Sequence, residues 1–157
     1  MAGRSITRKR GEGKALWLLG GLYEVKLAGE ETDGALTVME MTIPAGMGPP
    51  PHTHPGDESV YVLEGTVRYQ IGEETIEGGP GSFFHVPEGI WENFQPTTDA
   101  RLLVFYRPGG IDRFFAEAGE PAQAREVPPP AAAPPDFERI VAIGERHGMA
   151  FKAPVVT

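Results

Sequence analysis

At 157 residues, with a net charge of −8 and no cysteine, the chain fits one domain and excludes several classes of protein at once. The negative charge disfavours nucleic acid or an anionic membrane as partner, and the missing thiols rule out disulfide staples and thiolate chemistry. Its 21 glycines and 16 prolines imply many turns and short strands, and no apolar run approaches the ~18 residues of a membrane span.

From the N-terminus, residues 1–14 read as a flexible segment. Its Arg4, Arg8, Lys9 and Arg10 form a solvated basic cluster, because nothing aromatic or periodic accompanies them. The ALWLLGG that follows is too short and too glycine-ended for a secretory leader, so the cytoplasm is the expected location. Residues 15–118 should form one β domain closed by a short helix. The expected strands are Ala15–Leu19, Tyr23–Ala28, Ala35–Ile43, Ser59–Glu64, Thr66–Ile71, Ser82–Val86, Trp91–Gln95 and Leu102–Tyr106, punctuated by glycine- and proline-rich turns. Many short strands at this spacing indicate a sandwich or a barrel. Ile111–Gly119 then reads as a two-turn helix ended by glycine. Residues 119–157 form an appendage. VPPPAAAPP should be an extended polyproline linker. Asp136–His147 reads as a helix with Phe137, Ile140, Val141 and Gly144 on one face and Gly148 as its stop. That stripe must pack on the barrel or on a dimer mate.

The stretch GMGPPPHTHPGDESVYVLEG, residues 46–65, carries the chemistry. In a strand, residues two apart face the same way, so His52 and His54 point together. Glu58 follows a Pro55-Gly56-Asp57 turn and can swing back beside them from the next strand. Two imidazoles and a carboxylate converging in this way form the facial triad that holds divalent iron, manganese and similar metals. Two surface histidines near a strand end are the bland alternative, but the carboxylate and flanking glycines in register argue against it.

The same spacing resembles the first motif of the cupin superfamily: glycine, five residues, His-X-His, three residues, glutamate, six residues, glycine. Gly46, His52, His54, Glu58 and Gly65 meet it without a gap. The superfamily's second motif is glycine, five residues, Pro-X-Gly, two residues, histidine, three residues, asparagine. Gly81, Pro87 and Gly89 match it, but Glu92 stands in the histidine place and Pro96 in the asparagine place. The resemblance extends over residues 15–118 and implies an all-β fold, a double-stranded β-helix (the cupin jelly-roll barrel) with short C-terminal helices. YVLEG and RLLVFYRPGGIDRFF are also similar to small bacterial cupins of the quercetin-dioxygenase-like group.

The resemblance implies a metal set of three histidines and a glutamate, so this chain offers His52, His54, Glu58 and, in the fourth place, Glu92. If Glu92 binds, a second hard carboxylate turns the site toward iron or manganese, with nickel or zinc also admitted as the divalent ion. If it stays free beside a three-ligand metal, it can move a proton. Without metal, two carboxyls in an apolar barrel would split their pKa values and act as general acid and base. Glu58 and Glu92 are therefore the expected catalytic residues. His85 is expected to be a rim histidine rather than a ligand, and His147 a helix-end cation.

Alternation from Glu58 sends Val60 and Val62 inward and Tyr61 and Leu63 outward, and from Glu92 it sends Phe94 inward. Trp91, Phe94 and either Phe83 or Phe84 should make the mouth aromatic, while Met39 and Met41 read as plain packing. The expected function is a metal-dependent cupin enzyme acting on a small aromatic or enolisable molecule, dioxygenase-like and consuming dioxygen. A non-redox isomerase, cyclase or lyase of secondary metabolism using Glu58 and Glu92 is the alternative, and a non-catalytic ligand-binding cupin a further one. No nucleic-acid or membrane partner is expected. Exposed edge strands and an apolar tail helix favour a homodimer.

Overall fold

The structure is a computed structural model and describes residues 3–152. In chain order it contains β1 (Lys14–Leu18), β2 (Gly21–Leu27), β3 (Thr37–Ile43), β4 (His52–Thr53), β5 (Asp57–Glu64), β6 (Val67–Ile71), β7 (Glu74–Gly78), β8 (Phe83–Val86), β9 (Glu92–Pro96) and β10 (Ala100–Arg107). Helix α1 (Asp112–Ala118), β11 (Glu120–Pro121), α2 (Phe137–Arg146) and β12 (Ala150–Phe151) complete it. The strands form two antiparallel sheets, ordered β11-β1-β2-β3-β10-β5-β8 and β12-β4-β9-β6-β7. This is the all-β jelly roll that the sequence implies, and no helix among the described residues is long and apolar enough to cross a membrane.

Side-chain alternation builds the core. Along β3, Thr37, Met39, Met41 and Ile43 are buried and the residues between them are half-buried. Along β10 the buried set is Ala100, Leu102, Val104 and Tyr106, and along β5 it is Glu58, Val60 and Val62. Phe84 and Phe94 join this interior, whereas Phe83 is 62% exposed, opposite Tyr61 on the outer face. Along these three strands the buried set is apolar except at Thr37 on β3 and Glu58 on β5.

Four elements depart from the sequence reading. β7 occupies a stretch expected to be turn. All its residues but the last are exposed, so nothing imposes the period-two pattern by which a strand is recognised. β11 and β12 are two-residue bridges, below the length at which periodicity exists. In α2 the buried residues are Ile140, Ile143 and Gly144, while Phe137 and Val141 are only half-buried. Both sets fit a helical stripe, and the packing of α2 against α1 selects the face.

The chain beyond α1 is tied back to the barrel. Arg125 donates to buried Glu24 at 2.8 Å, and the Trp17 indole donates to the Glu126 carbonyl at 2.8 Å. Asp136 caps α2 by accepting from the Arg139 amide at 3.0 Å. Residues 127–135 contain no regular element. In the N-terminal segment, Arg8 pairs with Glu31 at 2.9 Å.

Gly65 makes the β5–β6 turn with φ +79°, and a Cβ there would lie 2.1 Å from the Asp99 carbonyl oxygen. Gly65→Ala should therefore destabilise the protein by more than about 1 kcal/mol. Denaturant titration of the two forms checks this, and an unchanged midpoint would contradict the turn geometry.

Candidate metal centre

Four side chains from three neighbouring segments meet at one end of the barrel. His52 opens β4 and stands opposite Glu92, the first residue of β9, in the antiparallel register. His54 lies just past β4. Glu58 on β5 sits between Tyr106 of β10 and Val86 of β8. All four are buried, Glu92 to 1% exposure, and one ligand atom of each lies within 4.8 Å of the others. Among the described residues this is the one such cluster.

The distances define a compact donor set. His52 Nε2 and His54 Nε2 are 3.0 Å apart, and Glu92 Oε1 lies 2.9 Å from the latter and 3.1 Å from the former. Donor atoms bound ~2.1 Å from one divalent ion at right angles stand ~3.0 Å apart. The three atoms therefore trace one face of such a coordination shell. Glu58 Oε2 is the fourth donor, 2.6 Å from His54 Nε2.

Proton counting gives a second test. His52 Nδ1 lies 2.9 Å from the Pro50 carbonyl, which can only accept, so the proton sits on Nδ1 and a neutral ring presents a bare lone pair at Nε2. His54 Nε2 faces three polar atoms within 3.0 Å and can offer at most one proton. Glu58 Oε2 and Glu92 Oε2 are buried without a hydrogen-bond partner. The contact between Glu58 Oε2 and His54 lacks hydrogen-bond alignment. More lone pairs converge here than protons can satisfy, and on that ground the residues fit a divalent ion.

The electrostatics without a cation follow the same crowding. Burial alone disfavours the His54 imidazolium, but the facing Glu58 and then Glu92 outweigh it and raise its pKa to about 10. Burial, and then the like charge of Glu92, push Glu58 up to about 8. Burial opposes ionisation of Glu92 as well, yet its close contacts with the His52 and His54 imidazoles hold it well below the ordinary carboxylate range. The two carboxyls thus shift in opposite directions, Glu58 toward holding a proton and Glu92 toward the anion. Such a pair can give and take a proton at neutral pH.

Sequence reasoning named all four members of this cluster, and the structure brings them together. It missed the tyrosines around them. The Tyr69 hydroxyl donates a long hydrogen bond of 3.4 Å to Glu58 Oε1, and the Tyr106 ring packs 5.4 Å from that of His54. Burial raises both phenol pKa values well above the usual, and the nearby carboxylates raise them further. Alternation from Val67 and from Val104 would have found both. His85 is exposed and bonded to Ser59 at 2.9 Å, away from the site. His147 pairs with Glu117 at 2.9 Å. Trp91 is half-buried and carries Lys152 over its ring, 4.3 Å from the centroid.

The cluster opens into a narrow pocket with a cavity volume of about 50 Å³. His52, His54 and Glu58 form its polar end. Leu18, Met41, Phe94, Phe114 and Phe151 are among its apolar walls. Met41, expected as plain packing, thus also faces the pocket.

The family model described as "Cupin domain" matches residues 39–106. The chain is 28% identical over 120 residues to quercetin 2,3-dioxygenase of Bacillus subtilis (strain 168), a match that spans 75% of this chain but 36% of that relative. Among solved structures it is similar to KdgF from Halomonas sp. (17% identity, TM-score 0.61, covering 69% of this chain and 99% of that one). It is also similar to the polyketide cyclase RemF from Streptomyces resistomycificus (22%, 0.59, 66% and 80%). An RmlC-like cupin from Shewanella frigidimarina is a third (18%, 0.60, 69% and 96%). At these identities the solved structures establish the fold. The matched segment contains His52, His54, Glu58 and Glu92, and the two-sheet barrel encloses them, so residues 39–106 form a cupin domain.

Proposed function

We propose that the protein is a mononuclear metal-dependent enzyme acting on a small, flat, apolar molecule with one acidic hydroxyl or enol, and that its reaction is dioxygenase-like. The observation that carries this reading is the donor triangle of about 3 Å edges at the polar end of an otherwise apolar pocket. His52, His54, Glu92 and Glu58 would hold the ion, iron or manganese by their mixed nitrogen and carboxylate donors. A bound ion of this kind supplies a Lewis acid and, if redox-active, a partner for dioxygen.

The chain's own residues do the rest. The apolar walls exclude water and orient a flat ring. Glu58, at the polar end of the pocket and freed of its own proton once the ion is held, would accept the hydroxyl proton of the substrate. Tyr69 steadies Oε1 of that carboxyl. The likeness to quercetin 2,3-dioxygenase supports an aromatic hydroxyl substrate. The opposed protonation of Glu58 and Glu92 favours a second reading, a non-redox isomerase, cyclase or lyase working by proton transfer at the same site.

Oxygen uptake separates the two. With quercetin as the trial substrate, the Fe(II)- or Mn(II)-loaded protein should consume dioxygen in proportion to substrate lost. A product of unchanged mass with no uptake would replace the oxygenase reading with the second one. Glu58→Gln should lower turnover by about 10²–10⁴-fold while the fold persists by circular dichroism.

Loading should also release protons, because the ion displaces those held by His54 and Glu58. Both groups are protonated below pH 8, so the apparent Mn(II) affinity should climb with pH at a slope of about two protons there. The slope should fall to about one between pH 8 and 10. Calorimetry in buffers of different ionisation enthalpy reads the proton count directly, and binding with no proton release would contradict the assignment. Glu92→His should retain metal more strongly and lose the native activity, and retention of full activity would reduce Glu92 to a place-filling ligand.

A further inference from the structure

The far end of the chain reaches the pocket. α2 leads through a turn at Gly148 into β12, which adds itself to the edge of β4, with Phe151 opposite His52 and Ala150 opposite Thr53. The Lys152 amide then donates to the Pro51 carbonyl at 2.9 Å. This edge pairing carries Ile140, Met149 and Phe151 onto the pocket, across from Leu18 and Phe94. Phe151 lines the pocket beside its polar end: its ring is 6.0 Å from that of His52 at an interplanar angle of 30°. It also lies 6.4 Å from Phe114.

Its position depends on a missing side chain. A Cβ on Gly144 of α2 would fall 2.3 Å from Phe151 Cε2 and 2.8 Å from Cζ. Gly144 is the third member of the buried α2 stripe, and a glycine in a helix interior costs about 1 kcal/mol relative to alanine. Here it leaves the space in which the Phe151 ring sits.

We propose that Phe151 is a specificity-determining residue, an aromatic roof whose height is set by Gly144 and which limits the size of flat ligand admitted to the cluster. The inference rests on the reading that substrate occupies the apolar pocket. A ligand lying between the cluster and the roof contacts the Phe151 ring, so the ring's volume and position select among ligands of different extent. Phe151 reaches the cluster only through the His52 ring and the β12–β4 pairing, so metal content is the readout that separates a ligand-selecting role from a bracing one.

The test uses the full-length chain loaded with Zn(II) and two fluorescent probes that share an acidic hydroxyl and differ in size, 2-naphthol and 1-hydroxypyrene. Wild type should bind 2-naphthol more tightly. Phe151→Ala should raise the affinity for 1-hydroxypyrene relative to 2-naphthol by about tenfold, the scale expected when several carbons' worth of pocket is opened. Gly144→Ala should weaken both probes by about fivefold, and adding Phe151→Ala to it should restore the behaviour of Phe151→Ala alone. Zn(II) content should be equal in all four forms. Should Gly144→Ala not fold, Phe151→Leu, expected to lie between wild type and Phe151→Ala, takes its place.

If both probes bind wild type and their affinity ratio stays within about twofold in Phe151→Ala, the roof is overturned while the pocket reading stands. Loss of Zn(II) binding with an unchanged ratio would make Phe151 a brace for His52 and would also overturn it. If neither probe binds wild type, the pocket reading falls and the roof with it.

Discussion

Everything in this protein is arranged around an unfavourable act, the burial of two carboxyls and two imidazoles inside an apolar barrel. Each ionised group taken from water costs several kcal/mol unless its neighbours compensate. The neighbours here are chiefly one another, and the donor atoms lie as close as 2.6 Å. Tyr69 and the Pro50 carbonyl supply the other polar contacts recorded for these side chains. Val60, Val62, Val86 and Phe94 offer nothing polar. The cluster consequently holds its protons tightly, at His54 and Glu58, or gives them up to a cation.

The sheet makes such proximity affordable in conformational terms. Register places His52 opposite Glu92 and Glu58 opposite Tyr106, so backbone pairing rather than side-chain reach brings the groups together. Short, rigid connections keep that register. Gly65 allows the tight return into β6, and the Asp57 carboxylate accepts from the Glu88 amide at 3.0 Å, tying the first motif segment to the second. A site built this way loses little entropy on engaging a ligand, because its donors are already held by strands that the barrel fixes.

How much of this could be read in the sequence depended on which physical force left a mark. The inward run Glu58, Val60, Val62 and the outward Tyr61 follow from period-two alternation, and the strands that pack on the core were found nearly to the residue. β7 left no such mark because solvent bathes it on nearly every residue. The choice between Phe83 and Phe84 was undecidable from composition, since both are aromatic and adjacent. Pairing of β8 with β5 settled it, burying Phe84. His52, His54 and Glu58 were recognisable by type and spacing, and Glu92 by the place it takes in the cupin second motif. The tail's arrival at the pocket was not, because a two-residue bridge to β4 reflects tertiary geometry and no local preference.

Chain order gives the β12–β4 bridge a temporal meaning. Ribosomes release a protein from its N-terminus, so the segments carrying His52, His54, Glu58 and Glu92 emerge and pair before Phe151 exists as a peptide. The proline-rich span 127–135 separates the barrel from that tail. Until β12 pairs with β4, the pocket lacks the wall that Ile140, Met149 and Phe151 supply.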